Sequence, residues 1–505
     1  MSRWLPISAF LALVACGDEA DTSGDSDPLV ETDADSDADA DSDADADADA
    51  DTDATGDTDA GGDTDADPPA TAWATDVYFT EYYGWPYEFV SASSVAISAD
   101  GNRIAFGDPY NEWGKLAIFA RTDLGWELEA ELSEGTNYYS DYAYSLSFSA
   151  DGTRLAVGDP GDRSVDSDPE NQTGLPDIGA VKVYKRTGST WAFEAYLKAD
   201  VVDGWDLFGN ALALSADGTT LAVAAPGEDS FGDDPTDDSA TASGAAYVFT
   251  RSDSAWTQAA MLKVPTGAAS ESLGFGASLA ASSDGKAIVV GATQAGGTGM
   301  AYRFERPSGG WGSAVPTQRS LSFRVGSESA SYGIQDDFGA SVAISEDGNR
   351  IVVGAPGEDG SGTGVVGTAA DEGASASGAA YVFDCTDSGC TRTAYLKPLS
   401  TDADDRFGTA VAISGDGLRV AVGAPGDDSN ASGVGGDPTN NTFVDTGAVY
   451  SYRLDAAWTS EAYFKGWDAP ASAMGSCLAL DGDGTRLVTA GAGRDWSAAF
   501  LYARE

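Results

Sequence analysis

The chain contains no histidine among its 505 residues, and basic residues are scarce, with 27 Lys and Arg against 82 Asp and Glu. The missing imidazole excludes Ser-His-Asp and Cys-His nucleophilic sites, histidine general bases and histidine-ligated metal centres. The net charge of −55 makes nucleic acids and bare anionic membranes poor partners. No catalytic constellation stands out among the remaining carboxylates, tyrosines and lysines. We therefore expect a protein that is not an enzyme and that carries no cofactor.

Long hydrophobic runs are also missing, apart from one at residues 4–15 that is too short to span a bilayer as a stable helix. Its ending, Leu13-Val14-Ala15-Cys16, resembles the lipobox of bacterial lipoproteins. The resemblance implies that the signal is cut before Cys16 and that Cys16 receives a lipid. Because Gly17 rather than aspartate follows, it also implies an outer-membrane lipoprotein, exposed at the surface of a Gram-negative bacterium. The alternative is an ordinary secretory signal that contains a cysteine.

Aromatic residues are absent between Cys16 and Ala70, where Asp, Ala, Thr, Ser and Gly dominate. With little to bury and like charges at every second position, this segment cannot fold alone and is expected to extend as a tether. A calcium-binding aspartate repeat is the alternative, although the densest run lacks the glycines that shape a calcium loop. The predicted domains are a signal peptide at 1–15, a lipidated cysteine with a disordered acidic tether at 16–70, and a globular domain at 71–505.

The globular domain repeats one phrase, seen at 345–359 as SEDGNRIVVGAPGED. Each copy has an alternating apolar strand before an Asp-Gly turn and a second apolar strand after it. Third and fourth strands follow, such as GAAYVF at 378–383 and WAFEAYLK at 191–198. Four strands per unit and seven units predict an all-β fold, a seven-bladed β-propeller of four-stranded blades. The turns are Asp100-Gly101, Asp151-Gly152, Asp217-Gly218, Asp284-Gly285, Asp347-Gly348, Asp416-Gly417 and Asp483-Gly484.

The repeats also carry Phe-Gly nine residues before the turn aspartate and Gly-Ala-Pro after it. This pattern resembles the FG-GAP repeat of the integrin α-subunit propeller and its bacterial relatives, over roughly residues 73 to 505. The copies are Phe208-Gly209, Phe275-Gly276, Phe338-Gly339 and Phe407-Gly408, with Gly354-Ala355-Pro356 and Gly423-Ala424-Pro425.

The sequence departs from the integrin pattern where calcium would bind. Integrin blades hold calcium through several spaced carboxylates in the first hairpin loop, whereas most loops here offer a single one, such as Asp347. Ser-x-Asp-Gly is therefore interpreted as turn chemistry, in which Asp bonds its own backbone and Gly takes a positive φ. The last loop has two carboxylates, Asp481 and Asp483, although Leu487 stands in place of a closing acidic ligand. A calcium site there is kept as an alternative.

The chain has four cysteines. Cys385 and Cys390 flank a four-residue turn, where two hairpin strands would hold their Cβ atoms near bonding distance, so a disulfide is predicted. Such a bond is typical of an exported protein. A metal site is the alternative, but no other soft ligand lies nearby in sequence. Cys477 takes a small-residue position of a first strand and is interpreted as buried packing.

Function is expected in the loops, because propellers host many activities. Loops between strands 2 and 3 share one face with the segments that join blades, and the segments at 81–89 and 137–144 are aromatic. Aromatic faces beside acidic acceptors suit a sugar or a protein partner; alternatively, the rings cover the seam between blades. The predicted ligand-binding residues are Tyr82, Tyr83, Trp85, Tyr87, Tyr138 and Tyr139.

Acidic residues open the long 2–3 loops and are predicted to lie on the same rim, either as solvated charges or as acceptors for a ligand or cation. The predicted function is a surface-displayed binding or adhesion module for a glycan or surface protein, monomeric and attached to the membrane only by its lipid. A carboxylate-based glycoside hydrolase and a structural envelope protein are the alternatives. The acidic residues are Asp162, Glu228, Asp229, Glu358, Asp359, Asp427 and Asp428.

The seventh unit ends at its third strand, SAAFLYARE, without a fourth. The missing copy lies at the other end, where WATDVYFT at 73–80 matches WAFEAYLK position for position. The first strand of the propeller is therefore predicted to complete the last blade, which removes an open sheet edge.

The first prediction concerns the anchor. Cys16→Ser should release the protein from the membrane, because one lipidated residue is the only strong membrane signal in the chain. Fractionation of cells into membrane and soluble material measures this. A variant that still partitions with lipid would show that the lipobox interpretation is wrong.

Overall fold

The computed structural model describes residues 73–79, 93–109, 114–133, 141–166, 174–232, 234–264, 274–313, 317–321, 336–366, 373–466, 472–492 and 497–504. Their strands form seven antiparallel sheets. Within these ranges the one helical element is a 3-10 turn at Ala295–Gly297, and no helix has the length and apolarity that crossing a membrane requires. The predicted seven-bladed, all-β propeller is confirmed.

The first strand, β1 (Trp73–Phe79), belongs to the last sheet. Blades 1 to 3 each take four consecutive strands, and the first strand of each blade lies innermost, in contact with those of its neighbours. Blade 1 contains β2 (Ser94–Ile97), β3 (Arg103–Asp108), β4 (Lys115–Thr122) and β5 (Gly125–Ser133); blade 2 contains β6 (Ser145–Phe148), β7 (Arg154–Asp159), β8 (Ala180–Thr187) and β9 (Thr190–Leu197); blade 3 contains β10 (Leu212–Leu214), β11 (Thr220–Ala225), β12 (Ala245–Ser252) and β13 (Ala255–Leu262).

Blades 5 and 6 each gain a fifth, two-residue strand from the long loop between their second and third strands. These short strands, β20 (Val365–Val366) and β25 (Gly433–Val434), pair with the outermost strand of their blade. Blade 4 contains β14 (Phe275–Ala281), β15 (Ala287–Ala292), β16 (Met300–Glu305) and β17 (Thr317–Leu321); blade 5 contains β18 (Ser341–Ile344), β19 (Arg350–Ala355), β20 (Val365–Val366), β21 (Ala379–Thr386) and β22 (Gly389–Leu396); blade 6 contains β23 (Val411–Ile413), β24 (Arg419–Ala424), β25 (Gly433–Val434), β26 (Ala448–Leu454) and β27 (Trp458–Lys465); blade 7 contains β28 (Cys477–Leu480), β29 (Arg486–Ala492) and β30 (Ser497–Arg504).

Both ends of the described chain meet in blade 7. Strand β1 pairs with β30, from Trp73 opposite Arg504 to Phe79 opposite Ala499. Trp73 is buried and packs edge-on against Phe464 of blade 6, with 5.2 Å between ring centroids. The prediction that the first strand completes the last blade is confirmed, and the ring is closed by hydrogen bonds between distant ends of the chain.

In blades 1 to 6 each Asp-Gly turn closes the first hairpin with the same hydrogen bonds, and in blade 7 Asp481 replaces the serine. In blade 2 the Asp151 carboxylate accepts from the Thr153 amide (3.0 Å) and from the Ser149 hydroxyl (2.8 Å). Gly152 takes a φ of +59°. Burial raises the pKa of Asp151, but these hydrogen bonds outweigh it and hold the pKa below its ordinary value. The predicted turn chemistry is confirmed.

A closed ring of backbone hydrogen bonds joins the seven turns around the propeller axis. The residue before each turn aspartate accepts a backbone hydrogen bond from one neighbouring blade. In six of the seven turns its amide also donates to the other neighbouring blade, and in blade 1 the Asp100 amide donates instead. Each copy of the repeated phrase therefore supplies one donor and one acceptor to the ring. The bonds are Asp100 N to Ala150 O (3.2 Å), Ala150 N to Ala216 O (3.0 Å), Ala216 N to Ser283 O (2.8 Å), Ser283 N to Glu346 O (3.0 Å), Glu346 N to Gly415 O (2.9 Å), Gly415 N to Gly482 O (2.8 Å) and Gly482 N to Ala99 O (2.9 Å).

Phe-Gly and Gly-Ala-Pro meet at the seam between neighbouring blades. A Cβ on Gly354 of blade 5 would lie 2.0 Å from the carbonyl oxygen of Gly408 in blade 6, so no side chain fits there. Gly408 has a φ of +97°, which glycine adopts without steric cost. The Phe407 ring beside it is buried against Tyr450, at 5.6 Å between centroids. The same close approach occurs between Gly158 and Gly209, Gly291 and Gly339, and Gly423 and Gly475.

Cys385 and Cys390 lie opposite each other on β21 and β22 and form a disulfide, with their Cα atoms 4.0 Å apart. This prediction is confirmed. Cys477 on β28 is buried beside Val488 and Ala490, as its predicted place in the packing requires. The proposed boundaries at 15/16 and 70/71, together with Cys16 itself, lie outside the described residues.

The second prediction concerns ring closure. Deleting residues 73–80 should lower the melting temperature strongly, because it removes the fourth strand of blade 7 and the buried Trp73 ring. Deleting residues 17–70 is the matched control and should leave the melting temperature nearly unchanged. Circular dichroism during heating gives both values. Equal melting temperatures for the two truncations would refute the closure argument.

Candidate ligand-binding rim

One face of the propeller carries the 2–3 loops, which join the second and third strands, together with the segments that join blades. Parallel bridges connect the glycine that ends a 2–3 loop to the residue that precedes the next blade's first strand. The shared face predicted from the topology is thus confirmed, and we name it the loop rim. Its described 2–3 loops lie within 160–179, 226–244, 293–299, 356–378 and 425–447, and its bridges are Gly179 to Phe208, Gly299 to Phe338, Gly378 to Phe407 and Gly447 to Met474.

The aromatic residues assigned to ligand binding lie outside the described residues, so their role stays a prediction. They are Tyr82, Tyr83, Trp85, Tyr87, Tyr138 and Tyr139.

The first acidic residue of each long 2–3 loop is buried, with at most 6% of its surface exposed. The prediction that these side chains are solvated charges or open acceptors for a ligand is therefore wrong. The reason is that each blade supplies internal donors that satisfy the carboxylate. The four residues are Asp162, Glu228, Glu358 and Asp427.

Blade 5 shows the arrangement. The Glu358 carboxylate accepts from the Tyr395 hydroxyl (2.7 Å) and from the Lys397 ammonium (2.9 Å). Lys397 is fully buried. Its Nζ also donates to the Ser377 hydroxyl (2.8 Å) and to the Gly378 carbonyl (2.6 Å). A lysine at the end of the outer strand thus binds both ends of the loop that starts at Glu358 and ends at Gly378.

Blades 2, 3 and 6 repeat this buried network. In each, a tyrosine hydroxyl donates to the carboxylate, and the lysine that ends the outer strand donates to the carboxylate or to a residue at the far end of the loop. The contacts are Lys198 to Asp162 (2.5 Å) and Tyr196 to Asp162 (2.7 Å) in blade 2, Tyr247 to Glu228 and Lys263 to Ser243 (2.8 Å) in blade 3, and Lys465 to Asp427 (2.7 Å) and Tyr450 to Asp427 (2.6 Å) in blade 6.

In blades 3, 5 and 6 a second acidic residue follows the first and also closes the loop, through the backbone. Asp229, Asp359 and Asp428 each accept an amide from the far end of their own loop. The donors are Ala242 (2.6 Å), Ala376 (2.7 Å) and Asp445 (2.8 Å), respectively. These hydrogen bonds join the two ends of each of the three loops at its base.

The network was missed in the sequence although a signal for it exists. In blades 2, 3, 5 and 6 the 2–3 loop starts with an acidic residue and the fourth strand ends in lysine, whereas blade 7 has Asp495 at the acid position and Thr80 at the lysine position. Blades 1 and 4 have neither, since Asn111 and Ala295 replace the acid and Ser133 and Ser322 replace the lysine. This paired occurrence within one chain would have indicated an internal ion pair.

Two further aspartates beneath the loops have strongly shifted pKa values. Burial raises the pKa of Asp206 to about 8, with added repulsion from Glu228 and Asp203. Burial likewise raises the pKa of Asp405 to about 8, and Asp427 adds to it. The raised pKa values favour the protonated form of both carboxyls, which lowers the negative charge beneath the rim.

Asp481 and Asp483 perform turn chemistry in blade 7. Asp481 Oδ1 accepts from the amides of Thr485 (2.8 Å) and Arg486 (2.9 Å), and its other oxygen pairs with the Arg486 guanidinium at 3.2 Å. Asp483 accepts from the Thr485 amide and hydroxyl. Burial raises the pKa of Asp481 to about 6. In the part of the chain that is described, no group of three or more Cys, Asp or Glu side chains could hold a metal ion, and calcium at this pair stays a prediction.

The opposite face holds an open axial cavity of about 170 Å³, lined by the ends of the inner strands and by the ring of turns. All seven blades contribute to its lining, mostly with Ala, Ile and Leu. Glu346 and Asp481 are the ionisable residues among those described there.

The seven sheets of the fold define the class. The chain is a seven-bladed propeller, and among solved structures it is similar to hydrazine synthase of Kuenenia stuttgartiensis (14% identity, TM-score 0.49, 85% of this chain and 100% of that chain). It is also similar to the β-propeller domain of Cps50 (Swd1) from Myceliophteria thermophila (11% identity, TM-score 0.49, 83% of this chain and 98% of that chain).

The repeat itself is identified by sequence. The family model of the FG-GAP repeat matches residues 391–437, a segment that contains Phe407-Gly408 and Gly423-Ala424-Pro425. None of the curated proteins compared with the chain matches it. The chain thus carries an FG-GAP repeat within a seven-bladed β-propeller, as the resemblance implied.

The third prediction tests the buried network. Lys397→Met should lower the free energy of unfolding by about 3–5 kcal/mol, because it leaves the Glu358 charge buried without its partner. The double variant Lys397→Met with Glu358→Gln should lose less than the two single variants together, since the pair acts as a unit. Urea unfolding of the three variants measures this.

The matched control is Lys286→Met, which removes a lysine from an exposed pair with Asp284 (2.6 Å). An exposed pair contributes only about 0–1 kcal/mol. If Lys397→Met costs no more than Lys286→Met, the buried network does not hold the loop.

Proposed function

We propose that this protein is a lipid-anchored binding module at the surface of a Gram-negative outer membrane, which captures a glycan or a surface protein on the loop rim. The observation that carries the proposal is the anchoring of four long, dissimilar loops by buried lysine, tyrosine and carboxylate groups on one face. Binding residues are commonly carried by loops that a rigid scaffold positions.

The N-terminal segment supports the proposed location. Leu13-Val14-Ala15-Cys16 resembles a lipobox, and the acidic composition of residues 16–70 suits a spacer beside an anionic membrane surface. An anchor of this kind leaves the loop rim free to meet partners outside the cell.

The enzyme alternative loses support in the loops where its candidates were expected. Glycoside hydrolysis needs two carboxyl groups that face the substrate. The first acids of the four loops instead face tyrosine and lysine side chains inside their own blades. A binding role needs no such pair.

The fourth prediction is that the full chain with Cys16→Ser, which stays soluble for the assay, binds at least one neutral glycan or outer-membrane surface protein in a binding screen. Calcium and chelator should leave binding unchanged if carboxylates of the rim hold no cation. Hydrolysis of a bound glycan would favour the glycoside hydrolase. Failure to bind any glycan or surface protein would favour a structural envelope role.

A further inference from the structure

A tryptophan stands on the loop rim at the junction of blades 2 and 3. Trp205 is 62% exposed, which is unusual for so large an apolar side chain. Leu175, from the 2–3 loop of blade 2, is 46% exposed beside it; a Cβ on Gly204 would lie 3.4 Å from the Leu175 Cβ. The two side chains give an open apolar surface between the blade 2 and blade 3 loops.

The backbone that carries Trp205 is held on both sides. Its amide donates to the Pro176 carbonyl of blade 2 at 2.9 Å. Its carbonyl oxygen would lie 1.8 Å from a Cβ on Gly227, so it presses against the start of the blade 3 loop. The backbone that carries the indole is therefore held in one position on the loop rim.

Trp205 also has a backbone conformation that does not suit it. Its φ is +76°, in the left-handed region that bulky residues rarely adopt. The equivalent residue of blade 6 is Asp404, with a φ of +67° and an amide that donates to Ser375 O at 2.8 Å. Aspartate, asparagine and glycine tolerate this region. The backbone at 205 therefore favours aspartate, asparagine or glycine. Tryptophan there is mostly exposed and has an unfavourable φ, so it does not stabilise the fold.

Carboxylates outnumber cations around Trp205, where Arg163 interacts with Asp177 and Lys263 interacts with Glu228 and Asp229. Asp203 and Asp229 are half-buried and Asp238 is exposed. Burial raises the pKa of Asp203, and repulsion from Asp238, Glu228 and Asp229 adds to it, so these carboxylates lie close to one another. Such a surface disfavours anionic ligands.

We propose that Trp205 is a stacking platform for one sugar ring of a neutral glycan, whose hydroxyl groups donate to Asp203 and Asp229. A sugar ring has an apolar face for the indole and a rim of hydroxyl donors for the carboxylates. The surface is open, so it suits a unit within a longer chain. This inference rests on the proposed function and names the ligand class and one of its contact residues.

The test, which is the fifth prediction, compares binding and stability in one variant. In the full chain with Cys16→Ser, isothermal titration against neutral hexa-oligosaccharides of glucose, mannose and galactose should find a ligand. Trp205→Asn should weaken that binding at least tenfold while the melting temperature stays equal or rises, because asparagine suits the left-handed backbone. Trp205→Tyr should retain part of the binding. Phe193→Ser, which removes an exposed ring on β9 (54% exposed), should leave binding unchanged.

Each contrary outcome is distinct. Equal binding by the parent chain and Trp205→Asn would overturn this inference and leave the proposed rim function in place. Binding of a lysine-rich peptide, but of no neutral oligosaccharide, would overturn the ligand class. A large fall in melting temperature for Trp205→Asn, with binding per folded molecule unchanged, would show that the indole is packing. Absence of any glycan or surface-protein ligand would overturn both this inference and the proposed function.

Discussion

The close approach of backbone to backbone between neighbouring blades sets the geometry of the whole molecule. The Gly408 carbonyl occupies the space that a side chain at Gly354 would need, and the same contact recurs at other seams. At Gly354 only glycine allows it, whereas blade 3 has Ala224 at the matching position. The positive φ of Gly408 turns the chain into the next inner strand. With blades fixed at this spacing, the seven hairpin turns come within hydrogen-bond distance around the axis, and β1 reaches β30 to complete the circle.

The two faces of the propeller differ in how much their sequence varies between blades. Near-identical turns form a ring on one face, where the repeat leaves little room for variation. On the loop rim, buried pairs such as Lys397 with Glu358 and Lys465 with Asp427 fix the loop bases, so the sequence between the bases is free to differ from blade to blade. A buried ion pair is costly unless its remaining hydrogen bonds are satisfied. Here Ser377 and Gly378 satisfy those of Lys397.

Much of the fold could be predicted from the sequence because its signals are local and repeated. Asp-Gly and Phe-Gly reflect a positive φ that few residues adopt, and Gly-Ala-Pro reflects a close approach of two backbones. The rim was harder to predict. Burial of Glu358 depends on Lys397, 39 residues away, and the unfavourable conformation of Trp205 appears only in its φ. In the sequence, the acidic residues that follow glycine and proline therefore resembled solvated loop charges. Only the structure shows that the outer strand brings a lysine next to them.

The central claim is that the loop rim is rigid at its base and variable at its tips. Hydrogen exchange of the full chain tests it most directly, because the amides of Gly179, Gly244, Gly378 and Gly447 donate to the carbonyls of the first loop acids. The account predicts that these four amides exchange as slowly as those of the second strands, while exposed amides in the described middle of the blade 3 and blade 6 loops exchange fast. Fast exchange at all four glycines would contradict it.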